Sequence, residues 1–512
     1  MGALKTTVPC APGAIMALED SLHAALGRYM RAPTWVREVG GSLYRAMPHR
    51  VRFGSRYAAF LADAQAPGRC TRWSDIEPRL EATLQAAARV PAFAAHAHEL
   101  RNHRRDALER LRALPLVSKA DIKADLSSWL HAGAAASDQL QMFTGGSTSQ
   151  PMRFYLHRHV SRPKESAYLQ HIEHALLGSQ PGDWALSLRG RTVASAAAPL
   201  GQLWTTEPIK RHLLFSSDHL EQRFMPAYVQ ALVHRQPRLI HAFPSALYPL
   251  ARWLHQHPAP EYTEQVAGVL LTSENVYDFQ LAMFEKVFPR ARIVRHYGHS
   301  ERVLMATAVG QHSDMQFFAR YGLPELVDAA GRVIDAPGVL GEIVGTSFDN
   351  HVMPFVRYRT GDMGMWSVAP RYRGNTRFVM RRIEGRCQEF IVCADHRLVS
   401  ITTLGAAHFD ALANVDWIQF EQRTPGRVLL KVVSPDGLDD SERKRIAAAV
   451  REKTQGGCEV DLQCVAATTR TARGKHPMLI QHLDLSAYLG AAITPEHEAL
   501  LLAPVAERFA TV

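Results

Sequence analysis

Residues Phe143 to Phe154 read FTGGSTSQPMRF, and every position from Thr144 to Ser149 is glycine, serine or threonine. Small residues let backbone N–H groups approach phosphate oxygens while hydroxyls add donors, so such a segment can hold a polyphosphate. No GK[ST] follows at Walker spacing, which removes the P-loop kinases and GTPases. Further on, Tyr297-Gly298-His299-Ser300-Glu301 follows the strand-like run Ala291 to Arg295. An aromatic ring at a strand end can stack on a base, glycine permits close approach, and the carboxylate four residues on can hold Mg²⁺ against phosphate oxygens. In Arg357-Tyr358-Arg359-Thr360-Gly361-Asp362 the aspartate has lone pairs for both hydroxyls of a ribose. Gly385-Arg386 and Arg473-Gly474-Lys475 add cations, the lysine as a point charge suited to an α-phosphate. Taken singly, each has a plain alternative: a Gly/Ser turn, an aspartate capping its own turn, a surface lysine.

The elements that must position these groups fall into three stretches. Residues 16 to 130 read as mostly helical: Leu108, Leu111 and Leu114 keep helical spacing before Pro115, and Ser118 with Asp121 has the form of a helix start. From 183 to 300, apolar runs such as Trp184 to Leu188 and Val266 to Leu271 alternate with helical stretches at 220 to 235 and 277 to 287. That alternation predicts a largely parallel sheet covered by helices. From 316 to 366 short strands and turn residues predict a sheet-rich subdomain within the large domain. A fresh segment opens near Gly385, with strands at Glu389 to Cys393, Val428 to Val433 and Cys458 to Val465 and a helix at Ser441 to Lys453. The fold class expected is therefore α/β, in three parts: a large N-terminal domain over 1–384, a small mobile α+β lid domain over 385–485 and a tail over 486–512.

Composition narrows the class further. With 512 residues, 46% of them hydrophobic and 21% charged, the chain is an ordinary globular protein of more than one domain. The longest apolar stretches fall well short of a bilayer span of roughly 18 to 20 residues, and the first residues lack a signal-peptide pattern, so a cytoplasmic location is expected. Gly2 with Thr6 fits an N-myristoylation pattern only formally. Six cysteines without a CxxC pair argue against a disulfide framework or a cysteine-rich zinc site. Although 25 histidines are present, none shows HExxH spacing. A net charge of +10 suits an anionic partner, but the arginines are spread out with no nucleic-acid motif, so no nucleic-acid partner is expected. The basic, amphipathic stretch 20 to 56 is expected to pack on the large domain rather than touch a membrane surface.

Taken in order, Thr144 to Pro151, Tyr297 to Glu301, Tyr358 to Asp362, Gly385-Arg386 and Gly474-Lys475 resemble the adenylate-forming superfamily of acyl-CoA synthetases, peptide-synthetase adenylation domains and luciferases. LPLVSKADIKAD (114 to 125), HAFPSAL (241 to 247), LTSEN (271 to 275) and YGHSER (297 to 302) are most similar to its phenylacetate-CoA ligase-like branch, which includes relatives linked to capsule biosynthesis. The resemblance implies ATP phosphates held by Thr144, Gly145, Gly146, Ser147 and Thr148, and adenine along Ser273, Glu274 and Asn275 and under Tyr297 beside Gly298. It implies Mg²⁺ on Glu301 and ribose on Asp362 supported by Arg386. Thr148, Glu301 and Lys475 are then the catalytic residues. By position, the acid pocket draws on His241, Phe243, Ser245, Ser273 and His299.

The activity implied is ATP-dependent adenylation of a carboxylic acid, then acyl transfer to CoA. Two alternatives stand beside it: transfer to an amine or a carrier-protein thiol in a natural-product or capsule pathway, and a non-catalytic nucleotide-binding role. Ser149 stands where the family usually has glycine, Gln388 where an acidic hinge residue is common, and no cysteines near 300 to 320 match the zinc ligands of some relatives, so no zinc is expected. The oligomeric state is not readable from the sequence.

Overall fold

The computed structural model describes residues 29, 32–66, 71–144, 152–189, 203–216, 220, 222–310, 314–386, 390–401, 415, 417–434, 437–454, 456–469, 477–483 and 485. Among them the first long helix is α1 (Thr34–Ala46), followed by α2 (Trp73–Ala87) and α3 (Lys119–Ala124). As expected, α1 lies on the large sheet's edge turn: Arg37 Nη1 donates to Thr206 O at 2.6 Å and Arg45 Nη1 to Pro208 O. Helix α3 begins on the Ser118–Asp121 pair. The Ser118 Oγ accepts from Asp121 N while the Asp121 carboxylate accepts from Ser118 N, two otherwise orphan donors satisfied at once.

A hairpin of β1 (Gln139–Phe143) and β2 (Arg153–His157) precedes α4 (Arg158–His171). The strands and helices that follow are β3 (Ala185–Leu188), β4 (Trp204–Glu207, antiparallel to the next), β5 (His212–Phe215), α5 (Met225–Arg235), β6 (Leu239–Ala242), α6 (Pro244–Gln256), β7 (Gly268–Thr272), α7 (Asp278–Val287) and β8 (Arg292–Gly298). Strands β5, β3, β6, β7 and β8 run parallel in that order. Period-2 side-chain placement puts Leu186, Leu188, Ile240, Ala242, Val269, Leu271 and Ile293 against α5, α6 and α7 in one apolar core.

The stretch from 316 to 366 is rich in strands, as expected, and these strands join the sheet of the parallel half. The strands β9 (Met305–Val309), β10 (Met315–Phe317), β11 (Gly322–Val327), β12 (Leu340–Ser347), β13 (Tyr358–Trp366) and β14 (Val379–Arg386) continue the same sheet. Its order is β11-β12-β13-β14-β10-β9-β8-β7-β6-β3-β5-β4, twelve strands among the described residues. The join is antiparallel: β9 pairs with β8, Gly298 opposite Met305, so the unpaired edge that β8 would have offered is covered. Gly322 shows how closely the pieces approach, because a Cβ there would lie 2.0 Å from Val303 O.

A buried charged pair fastens the chain ahead of α3 to this antiparallel half. Glu325 is wholly buried; its Oε2 accepts from Arg357 Nε at 3.3 Å, and Arg112 Nε lies 3.8 Å from its other oxygen. Arg357 also donates to Leu114 O and Arg112 O, at 2.8 and 3.1 Å. Val117 then bridges to Tyr358, which sets α3 beside β13. Glu325→Ala is expected to destabilise the protein by about 3–5 kcal/mol, because it leaves the Arg357 guanidinium buried without its carboxylate. A urea midpoint within error of the parent would exclude that role.

Beyond β14, which carries the large sheet through Gly385 and Arg386, lie β15 (Phe390–Val392) paired with β16 (Leu398–Ser400). Strands β17 (Trp417–Thr424), β18 (Arg427–Val433), β19 (Glu459–Cys464) and β20 (Leu479–Gln481) form a second sheet, ordered β19-β18-β17-β20, with α8 (Asp440–Lys453) packed on it. This matches the expected α+β module. Its core, including Ile418, Phe420, Leu430 and Ile446, also takes in Tyr277 from ahead of α7. Buried Gln419 on β17 reaches both Thr469 O and Pro477 O with its amide nitrogen, each at 2.9 Å, and accepts from Thr469 N at 3.1 Å. It therefore clamps the two ends of the segment that carries Lys475.

Candidate active site

In open α/β sheets ligands sit beyond the carboxyl ends of the parallel strands. Three of the motifs meet there. Tyr297 and Gly298 end β8, and Glu301 lies three residues on, in the turn to β9. Across the sheet, β13 supplies Tyr358 and Asp362. Two hydrogen bonds cross between them in opposite senses: Tyr358 Oη donates to Glu301 Oε1 at 2.6 Å, and Tyr297 Oη donates to Asp362 Oδ2 at 2.9 Å. Each expected ligand carboxylate is thus oriented by a tyrosine from the other strand. Asp362 is also the Cα partner of Arg386 on β14, the two motif positions being directly opposite in the ladder.

Glu301 is only 3% exposed. Burial alone would raise its carboxyl pKa, but the charges of His299 and Lys119 and the Tyr358 hydrogen bond together hold it below the usual value. Lys119 Nζ, on α3, is 3.5 Å from Oε1. Glu301 is therefore an anion at neutral pH. Burial and the neighbouring Asp362 charge push the Tyr297 phenol well up, which keeps it a donor. One anionic oxygen donor beside bound phosphates is the setting Mg²⁺ prefers, so the residues fit that ion. Among the described residues no cluster of three or more His, Cys, Asp or Glu makes a metal cage of its own.

The remaining expected residues divide. Thr144 closes the β1–β2 hairpin: its N–H donates to Met152 O and its hydroxyl accepts from Met152 N, both at 2.9 Å. Gly145, Gly146, Ser147 and Thr148 lie outside the described residues, as do Gln388 and Lys475, and Arg386 is described in its backbone alone. Ser273 takes a left-handed backbone, φ 66°, at the end of β7. Glu274 spans the gap to α6, where its carboxylate accepts from Ser245 N at 3.0 Å and Ser245 Oγ at 2.9 Å. This caps the helix, so Ser245 faces Glu274, and Phe243 packs into the apolar core under α6. Asn275 follows in the same turn. His241, on β6, is buried and turned toward the opposite face of the sheet, and His299 sits with its ring 5.5 Å from that of Tyr297.

Sequence reading gives no site role to Lys119, to Tyr358 as an orienting group, to His296 or to Glu173. Tyr358 and Lys119 were visible inside quoted motifs. Glu173 carries no local signal, since its position depends on a wide helical turn, Ile172–Leu176, closed by Leu177 N donating to Ile172 O at 2.9 Å.

No family model and no curated protein sequence matches the chain. Solved structures do. A 2-hydroxyisobutyryl-CoA ligase, in the postadenylation state with R3-HIB-AMP, is 17% identical over 79% of this chain and 88% of that one, with a TM-score of 0.59. AtGH3.15 acyl acid amido synthetase, in complex with 2,4-DB, is 13% identical over 87% of this chain and 95% of that one, with a TM-score of 0.53. The chain therefore has the fold of the adenylate-forming ligases. At such identity the likeness speaks for the fold, and the chemistry must be argued from the site.

Proposed function

We propose that this protein is an ATP-dependent acid ligase. The observation that carries the reading is the reciprocal pairing of Tyr358 with Glu301 and Tyr297 with Asp362, which sets an anionic carboxylate and a ribose-type acceptor at the carboxyl ends of one sheet. The acid's carboxylate oxygen attacks the α-phosphorus of ATP, the bond to the β-phosphate bridging oxygen breaks, and acyl-AMP and pyrophosphate result. Mg²⁺, held by Glu301, would neutralise phosphate charge. Asp362 accepts from the ribose, the Thr144–Thr148 segment donates to the phosphates and Lys475 meets the charge that grows at the α-phosphate. Positioning and charge neutralisation are what such transfers require of a protein.

An acceptor then attacks the acyl carbonyl and AMP leaves. CoA is the acceptor we favour, on the similarity of several motifs to the phenylacetate-CoA ligase-like branch. An amine acceptor is supported by one finding: the amido synthetase structure covers 87% of this chain. The small domain over 385–485 is proposed to turn about Gly385 to Gln388 between the two steps.

The test is exchange of labelled pyrophosphate into ATP across aryl, fatty and amino acids, with products identified by mass spectrometry after addition of CoA or mixed amines. Mg²⁺-dependent exchange with at least one acid is expected. ATP binding without exchange for any acid would favour the non-catalytic reading.

A further inference from the structure

The two faces of the parallel strands differ in chemistry. The face under α5, α6 and α7 is apolar to the strand ends. The other face, covered by α4 and the Ile172–Leu176 turn, begins with Ala185, Leu239, Leu270 and Val294 but does not stay apolar. Side chains two apart share a face, and in-register partners share it across strands. Ser187 and His241 share a row with Leu270 and Val294, and Thr272 and His296 lie opposite one another one row nearer the strand ends, so the four polar side chains run in a diagonal band across β3, β6, β7 and β8 near their carboxyl ends. His212, on β5, joins it, its ring 5.4 Å from that of His241.

This band is buried yet incompletely bonded. His296 Nδ1 meets Thr272 Oγ1 at 3.2 Å, but the buried Nε2 atoms of His296 and His241 have no hydrogen-bond partner among the described residues. Glu173, reaching in from the wide turn, brings Oε1 to 3.6 Å from His241 Nε2. That is too long for a hydrogen bond, although a third polar atom could bond to both. Burial first, then Arg189 and Lys210, push the His241 pKa down to about 3, so the pair is not an ion pair at neutral pH. Burial raises the Glu173 carboxyl against the pull of Lys210 and Arg189. Unbonded polar atoms at such depth are costly, and a ligand atom that bonds them recovers the loss.

These side chains lie near the carboxyl ends of the parallel strands, where ligands sit in open α/β sheets. His241 is two strands from β8, roughly 10 Å across the sheet at the usual strand spacing, and its face is the one opposite the Tyr297 ring. We infer that the acid activated here carries an oxygen on its acyl portion, a hydroxyl or a second carboxyl, that bonds between His241 and Glu173. This rests on the adenylation reading above. It turns expectation away from a plain arylacetic or fatty acid, for which a band of leucine and phenylalanine would serve.

The experiment is pyrophosphate exchange by the full chain with matched acids: phenylacetic, 4-hydroxyphenylacetic and 4-carboxyphenylacetic, then hexanoic, 6-hydroxyhexanoic and adipic. An oxygenated acid is expected to exceed its plain partner by about 10² or more in kcat/KM, since a site built to bond an oxygen discriminates strongly against its absence. Whichever of hydroxyl or carboxyl leads identifies the group. His241→Leu should cut the preference, read as the ratio of oxygenated-acid to plain-acid kcat/KM, to about threefold or less, and His241→Gln should restore part of it. Glu173→Gln, a change on the turn rather than in the sheet, gives a second measure of the same preference. Plain acids used as well as oxygenated ones, or a preference untouched by His241→Leu, would overturn the inference and leave the ligase reading standing. Exchange with no acid at all would remove both.

Discussion

Glu301→Gln is expected to bind ATP within a few-fold of the parent while turnover falls by a factor on the order of 10² to 10³, the scale seen when one preorganised charge-stabilising group is lost. The amide still accepts from Tyr358 Oη, whose 2.6 Å bond to Oε1 needs only an oxygen, so the turn after β8 should hold. What disappears is the anionic oxygen that a hard cation prefers. The measurement is a Mg²⁺ titration of pyrophosphate exchange, with ATP binding followed separately by calorimetry. An unshifted Mg²⁺ dependence with full turnover would make Glu301 a turn residue held for its bond to Tyr358.

The second large effect is expected at Lys475. Its loss in Lys475→Ala should lower acyl-AMP formation by about 10² or more, because a cation acting on charge that develops in the transition state is removed. Acyl transfer from chemically prepared acyl-AMP should continue near the parent rate, since the lysine is proposed to have left the site by then. Comparing the two half-reactions in one preparation decides between models. Equal loss in both would mean that Lys475 stays in place throughout, and the rotation about Gly385 to Gln388 would have to be given up.

How much of this was readable before the fold was known follows the reach of each signal. The Ser118–Asp121 box and the strands at Trp184 to Leu188 and Val266 to Leu271 depend on neighbours within a few positions, and they stand as expected, with β3 at Ala185–Leu188 and β7 at Gly268–Thr272. Whether strands 305 to 386 make their own sheet or extend another depends on who pairs with β8, and nothing within that stretch states its partner. The same limit explains Glu274. The resemblance implies that it lies along the adenine, and nothing near it in sequence states that its carboxylate bonds Ser245, twenty-nine residues away. Tyr358 was read as part of an aspartate motif because its bond to Glu301 spans fifty-seven positions. Residue types announced the chemistry, and non-local pairing decided which neighbour orients each group.

The Gln419 clamp sets a leash on Lys475. Pro477, one of its two anchors, is two residues from Lys475, so the backbone from anchor to lysine spans at most about 7 Å. Thr469, the other anchor, is six residues away, and the shorter arm governs the reach. A tether of that length would not let the lysine cross a cleft by itself. For Lys475 to touch the α-phosphate, the body of the four-stranded sheet must arrive at the nucleotide, and for it to withdraw, that body must leave. On the proposed mechanism the distance travelled by one ammonium would thereby be tied to the movement of a whole module, and substitutions that loosen Gln419 would lengthen the tether and uncouple the two.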